Sequence, residues 1–271
     1  METEFTIQHA SASLRASSRG RGANIVMLHA GVADRRMWRH TLLSLSSDHH
    51  ALAYDRRGFG ETEEVDEPFR HVDDLDAVIE HIGGPASILI GCSQGGRVAI
   101  DFALAHPHKV AALVLVATAV TGAPAPESYS GEIAVLMAQL DEAEATGDIE
   151  RVNAIEARLW LDGPLAKEGR IAGEVRQLFL EMNGTALRRG PLTHERPCPP
   201  AIERLQSLAV PSLVVWGDLD FPHIQRRSQH IADTIPGARP HIIAGCAHLP
   251  SLEQPREFNR AVEAFLATVK T

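Results

Sequence analysis

Short apolar runs recur along the chain, and most are followed by turn residues and then by a helical pattern of apolar side chains. The runs lie at 24–28, 50–54, 86–90, 110–116, 212–216 and 241–244. Continuous apolar runs of this length are typical of strands that are buried on both faces. Because strands that alternate with helices form right-handed βαβ units, the sequence predicts an α/β fold with a mostly parallel central sheet and helices on both faces. The segment 5–14 has no helix after it and is expected to add antiparallel strands at one edge.

The alternation of strands and helices stops between residues 121 and 207. This stretch opens with a cluster of glycine, alanine and proline at 122–126 and then places apolar side chains at helical spacing, beginning with Ile133. We interpret it as a helical cap, residues 122–207, inserted into a core formed by 1–121 and 208–271. The cap is expected to lie over the ligand-binding edge of the sheet. The alternative is that these helices are simply more of the core.

The overall composition narrows the range of partners. A formal net charge of −9 does not suit nucleic-acid binding, which needs a basic surface. It suits a neutral or apolar small-molecule substrate well. The three cysteines, Cys92, Cys198 and Cys246, follow no metal or disulfide spacing, so reduced thiols and a cytoplasmic location are expected. Neither a secretory signal nor a run of about 18 apolar residues is visible, so no membrane contact is expected.

The most informative motif follows the apolar run at 86–90. The residues Gly91 to Gly96 read G-x-S-x-G-G, and a helical pattern begins at once. A strand that turns into a helix within so few residues forces Ser93 into a strained backbone conformation, and the glycines let the two elements approach. The hydroxyl group of Ser93 then projects above the sheet at a helix N-terminus. We predict that Ser93 is a nucleophile; the alternative is a tight turn that needs glycine for packing alone.

A serine nucleophile needs a base and a carboxylate that orients the base. His248 is the best placed of the 14 histidines, because it lies in the loop after the last apolar run. The loop after the run at 212–216 offers two acids, Asp218 and Asp220. Asp220 lies further along the loop and is expected to reach His248, whereas Asp218 suits a hydrogen bond within the turn. The choice between these two acids stays open.

An acyl-transfer intermediate carries an oxyanion that needs preorganised N–H donors. We expect one from the backbone of Gln94, directly after the nucleophile. The second is expected from Gly31, in the loop after the run at 24–28. The alternative is that a glycine at position 31 serves only to permit a turn of the chain.

These motifs resemble the α/β-hydrolase superfamily, in order and across nearly the whole chain. His29 to Gly31 is similar to its oxyanion loop, with Ala30 in place of the usual glycine. The residues 55–60 resemble the D-x-R-G-x-G loop, which is chiefly structural in that family. The order serine, aspartate, histidine also matches. The resemblance implies the α/β-hydrolase fold with a substrate pocket between cap and core, and it is closest to esterases, lactonases and C–C bond hydrolases.

The predicted activity is hydrolysis of an ester or lactone of a small, mainly apolar substrate through an acyl-enzyme, with no metal or organic cofactor. The first alternative is hydrolysis of a C–C bond in a meta-cleavage product by the same three residues. The others are a ligand-sensing or interaction protein that retains the fold, and an inactive hydrolase. Four side chains could line an apolar pocket, although core packing is the simpler reading: Met37, Trp160, Phe179 and Met182. The oligomeric state is left open, with a homodimer as one alternative.

Overall fold

Eight strands form one sheet in the computed structural model, which describes residues 2–269. The strands are β1 (Thr3–His9), β2 (Ala12–Arg19), β3 (Ala23–Leu28), β4 (His49–Tyr54), β5 (Ser87–Cys92), β6 (Val110–Val116), β7 (Ser212–Gly217) and β8 (Arg239–Ile243). Their order in the sheet is β1-β2-β4-β3-β5-β6-β7-β8. The pairs β1–β2 and β2–β4 are antiparallel, and the other pairs are parallel. The predicted mostly parallel sheet with an antiparallel edge is therefore confirmed.

Helices cover both faces of this sheet. They are α1 (Arg39–Leu45), α2 (His71–Ile82), α3 (Gln94–Ala105), α4 (Gly131–Thr146), α5 (Ile149–Glu156), α6 (Gly173–Arg189), α7 (Pro222–Thr234), α8 (Pro250–Glu253) and α9 (Pro255–Leu266). Alternate residues of β3 show how the core divides: Val26 packs in a cluster with α2, α3 and α7, whereas Met27 packs in a second cluster with α1 and α9. Because strand side chains alternate between faces, each parallel strand needs apolar residues at nearly every position.

The segment between β6 and β7 contains α4, α5, α6 and a π-helix over Ala157–Asp162. Its buried side chains include Ile133 and Leu159, which form a third apolar cluster with Phe221 and Ile224 at the start of α7. This segment therefore packs on the core near the carboxyl end of β7. Its division from the core at residues 122 and 207 stays a prediction.

The loop after β4 is organised around one buried carboxylate. Asp55 is fully buried and accepts hydrogen bonds from the backbone N–H groups of Arg35 (2.7 Å) and Glu61 (2.8 Å), and from the Arg35 guanidinium (2.6 Å). Gly60 has φ +52°, and a Cβ there would lie 2.2 Å from the Asp55 carboxyl group. The D-x-R-G-x-G resemblance thus corresponds to a structural loop, with glycine required where the carboxylate approaches the chain.

None of the helices within residues 2–269 combines the length and the apolar composition that crossing a membrane requires.

Candidate active site

The turn between β5 and α3 places Ser93 at a strained point of the backbone. Ser93 has φ +52° and ψ −115°, a region that non-glycine residues rarely adopt. Its backbone is held on both sides: the N–H donates to the Val116 carbonyl (2.8 Å), and the carbonyl accepts from Arg97 (3.1 Å) and Ala119 (3.1 Å). Strain that the surrounding structure maintains in this way is typical of functional turns.

Glycines let three elements meet at this turn. A Cβ at Gly95 would lie 2.3 Å from the Leu28 carbonyl oxygen, and one at Gly96 would lie 2.3 Å from the Thr118 hydroxyl. A Cβ at Gly91 would similarly clash with the backbone of Gly96. The N-terminus of α3 is therefore packed directly against the loop after β3 and the end of β6, which a larger residue would prevent.

The predicted base and acid lie together at the carboxyl ends of the strands. The Nδ1 atom of His248 is 2.7 Å from Oδ2 of Asp220, and both side chains are buried. The second oxygen of Asp220 accepts the N–H of Phe221 (2.7 Å). Asp218 is directed elsewhere, because its carboxylate accepts the N–H of Gly245 (2.7 Å). The structure therefore brings Asp220 to the histidine and gives Asp218 a turn-stabilising contact.

The loop that carries His248 lies against the residue before Ser93. The Cys92 thiol donates to the His248 carbonyl oxygen at 3.6 Å. Within residues 2–269 no hydrogen bond joins the Ser93 hydroxyl to the imidazole of His248; in unliganded enzymes this contact is often long and tightens when substrate binds. On the other side, the ring of Trp160 packs on the imidazole of His248 with centroids 4.7 Å apart, and the backbone carbonyl of Trp160 accepts the backbone N–H of His248 (3.3 Å).

The two predicted oxyanion donors are neighbours. Gln94 is the first residue of α3, so its N–H has no acceptor within the helix. Gly31 lies beside it: a Cβ at Gly31 would be 2.6 Å from the Gln94 side-chain amide. These contacts bring Gly31 and Gln94 together at the helix N-terminus beside Ser93. Their role as donors stays a prediction.

His29 supports the predicted oxyanion loop, a role that the sequence motif alone did not specify. Its Nε2 accepts the Arg56 N–H (3.0 Å), so Nδ1 carries the proton and donates to the Ala30 carbonyl (2.7 Å). Burial lowers the pKa of His29 well below its usual value, and the Arg56 guanidinium lowers it further. His29 is thus a neutral group that ties the loop after β3 to the loop after β4.

A cavity of about 330 Å³ begins at Gly31 and Gln94 and continues beneath α6. Its walls include Phe59 and Phe69 from the core and Leu187 from α6. The structure thus provides an open, partly apolar space beside the predicted oxyanion donors, and neither Ser93 nor His248 is part of its lining.

The four side chains predicted to line a pocket are not part of the lining of this cavity. Met37, Phe179 and Met182 are buried in the apolar core between the sheet and its helices. Met37 also accepts the Ala30 N–H at its sulfur (3.4 Å), beneath the oxyanion loop. Trp160 is half-buried against His248. That these four contact a substrate stays a prediction.

His71 was not identified as a site residue from the sequence, yet it lines the same cavity at the start of α2. It is nearly fully buried, and its Nδ1 has no hydrogen-bond partner among the described residues. Burial lowers the pKa of His71 well below 6.5, and the positive charges of Arg56 and Arg97 lower it further. The imidazole of His71 is therefore an uncharged part of the cavity wall.

Replacing His71 with phenylalanine is expected to weaken the acid sensitivity of folding. Below pH 6.5 the unfolded chain protonates this imidazole and the folded protein does not, so wild-type stability falls as the pH falls. One such group contributes a loss of up to about 1.4 kcal/mol per pH unit. Urea unfolding from about pH 7 to about pH 5 should therefore show a smaller fall in unfolding free energy for the variant. Equal falls in the two proteins would show that folding does not lower the pKa of His71.

Within the described residues, no group of three or more His, Cys, Asp or Glu side chains is arranged to hold a metal ion.

The order of the strands in the sheet, together with the strained turn at Ser93 between β5 and α3, defines the architecture of an α/β hydrolase. A sequence model of the alpha/beta hydrolase family matches residues 25–261. The chain belongs to this family.

Several known proteins are similar over most of their length. Pimeloyl-(acyl-carrier protein) methyl ester esterase of Vibrio atlanticus (strain LGP32) is 24% identical over 268 residues, which cover 91% of this chain and 95% of that protein. A thermophilic esterase from Thermogutta terrifontis superposes with a TM-score of 0.74 at 24% identity and full coverage of both chains. Est816, an N-acyl homoserine lactone degrading enzyme, superposes with a TM-score of 0.70 at 22% identity, covering 96% of this chain and 99% of that one. The two structural likenesses support the predicted α/β-hydrolase fold.

Proposed function

We propose that the protein is a serine hydrolase that cleaves an ester or lactone of a small, mainly apolar molecule through an acyl-enzyme. The observation that carries the proposal is the buried 2.7 Å contact between His248 and Asp220, in a loop packed against the strained turn at Ser93. A carboxylate on Nδ1 of an imidazole leaves Nε2 free to act as a base. Strain at the serine keeps its hydroxyl exposed above the sheet.

In this mechanism His248 takes the proton of the Ser93 hydroxyl as the serine oxygen attacks the carbonyl carbon of the substrate. The tetrahedral intermediate collapses when His248 gives that proton to the leaving alkoxide oxygen. Water then attacks the acyl-enzyme, with His248 again as base, and the second intermediate releases the acid as His248 returns the proton to the Ser93 oxygen. Asp220 stays ionised throughout and holds the imidazole in the tautomer that accepts at Nε2.

The oxyanion of both intermediates would bind at the N–H groups of Gly31 and Gln94. One such donor typically contributes about 3 kcal/mol to transition-state stabilisation. Because Gln94 opens α3, the helix dipole adds to its effect. The neutral His29 holds the loop of Gly31, so the donors are positioned before substrate arrives.

Related proteins support ester or lactone chemistry. The Vibrio atlanticus relative is a methyl ester esterase, the Thermogutta terrifontis neighbour an esterase, and Est816 degrades a lactone. Since one fold hosts many reactions, these names support the bond class and leave the substrate open.

C–C bond hydrolysis is less well supported, because its substrate carries a carboxylate that an arginine or lysine in the pocket would bind, and the sequence places Arg158, Arg188 and Arg189 in the cap. Each candidate arginine has another partner. Arg158 donates to the carbonyls of Gly163 and Pro164, Arg189 donates to the Thr62 carbonyl, and Arg188 is exposed near Glu150. None of these three arginines lines the cavity beside Gly31, and the arginine that does, Arg57, is paired with the buried Asp74 (3.0 Å).

The proposal requires only a small-molecule substrate and neither a nucleic acid, a membrane nor a metal or organic cofactor. We also propose a cytoplasmic location. Three free cysteines, which form no disulfide bond in the structure, agree with this proposal. It makes no demand on the oligomeric state.

The test is reaction with a fluorophosphonate probe together with hydrolysis of p-nitrophenyl esters of increasing acyl length. We expect one labelled serine and turnover of the short esters, and no turnover of a dienoate ring-fission product. Turnover of the dienoate with inert esters would instead identify a C–C hydrolase. Ligand binding without labelling or turnover would favour a binding protein.

A further inference from the structure

The loop of His248 is held by a buried carboxylate outside the three predicted catalytic residues. Glu253, at the end of α8, has a fully buried side chain. One of its oxygens accepts the N–H of Ala247 (2.8 Å), and the other accepts the N–H of Leu249 (2.9 Å). These are the two residues that flank His248. Capping of the short helix α8 would explain the contact with Leu249 but not the contact with Ala247.

The same carboxylate is paired with an arginine from the helical segment between β6 and β7. The Arg170 guanidinium donates to Glu253, and its Nη1 donates to the Gly245 carbonyl in the His248 loop (2.9 Å). Its remaining N–H groups donate to the carbonyls of Leu161 and Asp162, both at 2.7 Å, at the end of the π-helix. One guanidinium thus joins the π-helix to the loop of the histidine.

The π-helix also contacts His248 directly. The Trp160 backbone carbonyl accepts the backbone N–H of His248, and the Trp160 ring packs on the imidazole. Further along, a Cβ at Gly163 would lie 2.5 Å from the Leu219 carbonyl, in the loop of Asp220. π-Helical turns occur frequently at functional sites, where they redirect the residues of one helical turn. Here the redirected turn contacts the loops of both His248 and Asp220.

We propose that Arg170 and Glu253 are positioning residues, which hold the imidazole of His248 in its hydrogen bond with Asp220 and attach the π-helix to the site as a fixed wall rather than a mobile lid. The proposal rests on the proposed serine-hydrolase function for its kinetic consequences. Its structural content, the position of His248, does not depend on that function.

The physical reason is charge compensation. Burial raises the pKa of Glu253, and the Arg170 guanidinium opposes this effect. Without Arg170, the buried carboxylate has to take up a proton or move towards water. A protonated carboxyl group no longer offers two equivalent acceptors, so one of the N–H groups beside His248 loses its partner. The loop then relaxes, and the imidazole drifts from Asp220.

A matched control is available in the same segment. Arg176 also pairs with a fully buried carboxylate, that of Asp162 (2.9 Å), and its side chain is 23% exposed against 19% for Arg170. It makes no contact with residues 245–249 among the hydrogen bonds and ion pairs of the described chain. Arg170→Met and Arg176→Met therefore remove the same charge from similar surroundings, but only the first removes a contact with the His248 loop.

The kinetic experiment compares both variants with the wild type in p-nitrophenyl acetate hydrolysis and fluorophosphonate labelling. Misplacement of a catalytic group by about 1 Å costs about 100-fold in rate, so we expect Arg170→Met to lower kcat and the labelling rate by about 10- to 100-fold with KM little changed. Arg176→Met should remain close to the wild type. Added guanidinium chloride should restore part of the activity of an Arg170→Ala variant, whose short side chain leaves room for the ion, and should not change that of Arg176→Met.

A spectroscopic readout needs no turnover. The proton shared by His248 and Asp220 should give a low-field ¹H NMR resonance in the wild type and in Arg176→Met, and it should be lost or broadened in Arg170→Met. Glu253→Gln, which preserves size but has only one acceptor oxygen for the two N–H groups beside His248, serves if Arg170→Met does not fold, and the same loss of the resonance is expected. A retained resonance in Arg170→Met, or equal slowing in both methionine variants, would overturn the proposal. A wild type inert to the probe would instead refute the proposed function, and the resonance would still decide the role of Arg170.

Discussion

Replacing Ser93 with alanine is expected to lower kcat by about six orders of magnitude, as removal of the serine does in other serine hydrolases. The alanine lacks the oxygen that attacks the substrate, and no other group in the site can replace it. The fold should persist, because the Ser93 backbone makes the hydrogen bonds at this turn through its N–H and carbonyl groups. Ester turnover and thermal unfolding, measured on the same preparation, check both parts of the expectation.

Ser251 offers a control for this substitution. It is buried three residues after His248, and its hydroxyl has no hydrogen-bond partner in the described structure. Ser251→Ala should therefore retain most of the activity. If Ser93→Ala kept substantial ester turnover, or if the fluorophosphonate label were found on another serine, the assignment of Ser93 as nucleophile would have to be abandoned.

Replacing Asp220 with asparagine is expected to lower kcat by about four orders of magnitude. The asparagine has nearly the same size, but its NH₂ group can face Nδ1 of His248 and favour the tautomer with the proton on Nε2. That tautomer cannot accept the proton of Ser93. Stopped-flow or steady-state ester hydrolysis of the purified variant would measure the effect.

Asp218→Asn is the comparison that gives this result its meaning. Asp218 lies two residues earlier in the same loop, but its carboxylate accepts the N–H of Gly245. An asparagine can still accept that bond through its carbonyl oxygen, so the expected change in kcat is less than about tenfold. A larger loss from Asp218→Asn than from Asp220→Asn would reverse the assignment of the acid.

The fold could be predicted from the sequence because its signals are local. A strand buried on both faces needs apolar residues throughout, and the runs that became β3, β5, β6 and β7 have this pattern. The turn at Ser93 could be predicted for a similar reason, since glycine is required wherever backbones approach as closely as they do at Gly95 and Gly96.

Other parts of the site could not be predicted in this way. Met37, Phe179 and Met182 are pocket candidates in the sequence because they are large and apolar. Such side chains serve a core equally well, and in the structure these three are buried in the core. His71 lines the cavity beside Gly31, although nothing around it in the sequence distinguishes it from the other histidines. Whether a side chain faces a cavity or a neighbour depends on elements that lie far away in the chain.

The sequence alone determined the strand–helix order, the strained serine turn and the loops in which an acid and a base would follow their strands, because each depends on residues a few positions apart. Tertiary structure decided the choice of Asp220 over Asp218 as the partner of His248. It also brought Arg170 to Glu253, two residues separated by 83 positions that no local pattern connects. Pairing of buried charges depends on which loops the packed sheet and helices bring within a few ångströms, and this is a property of the whole fold.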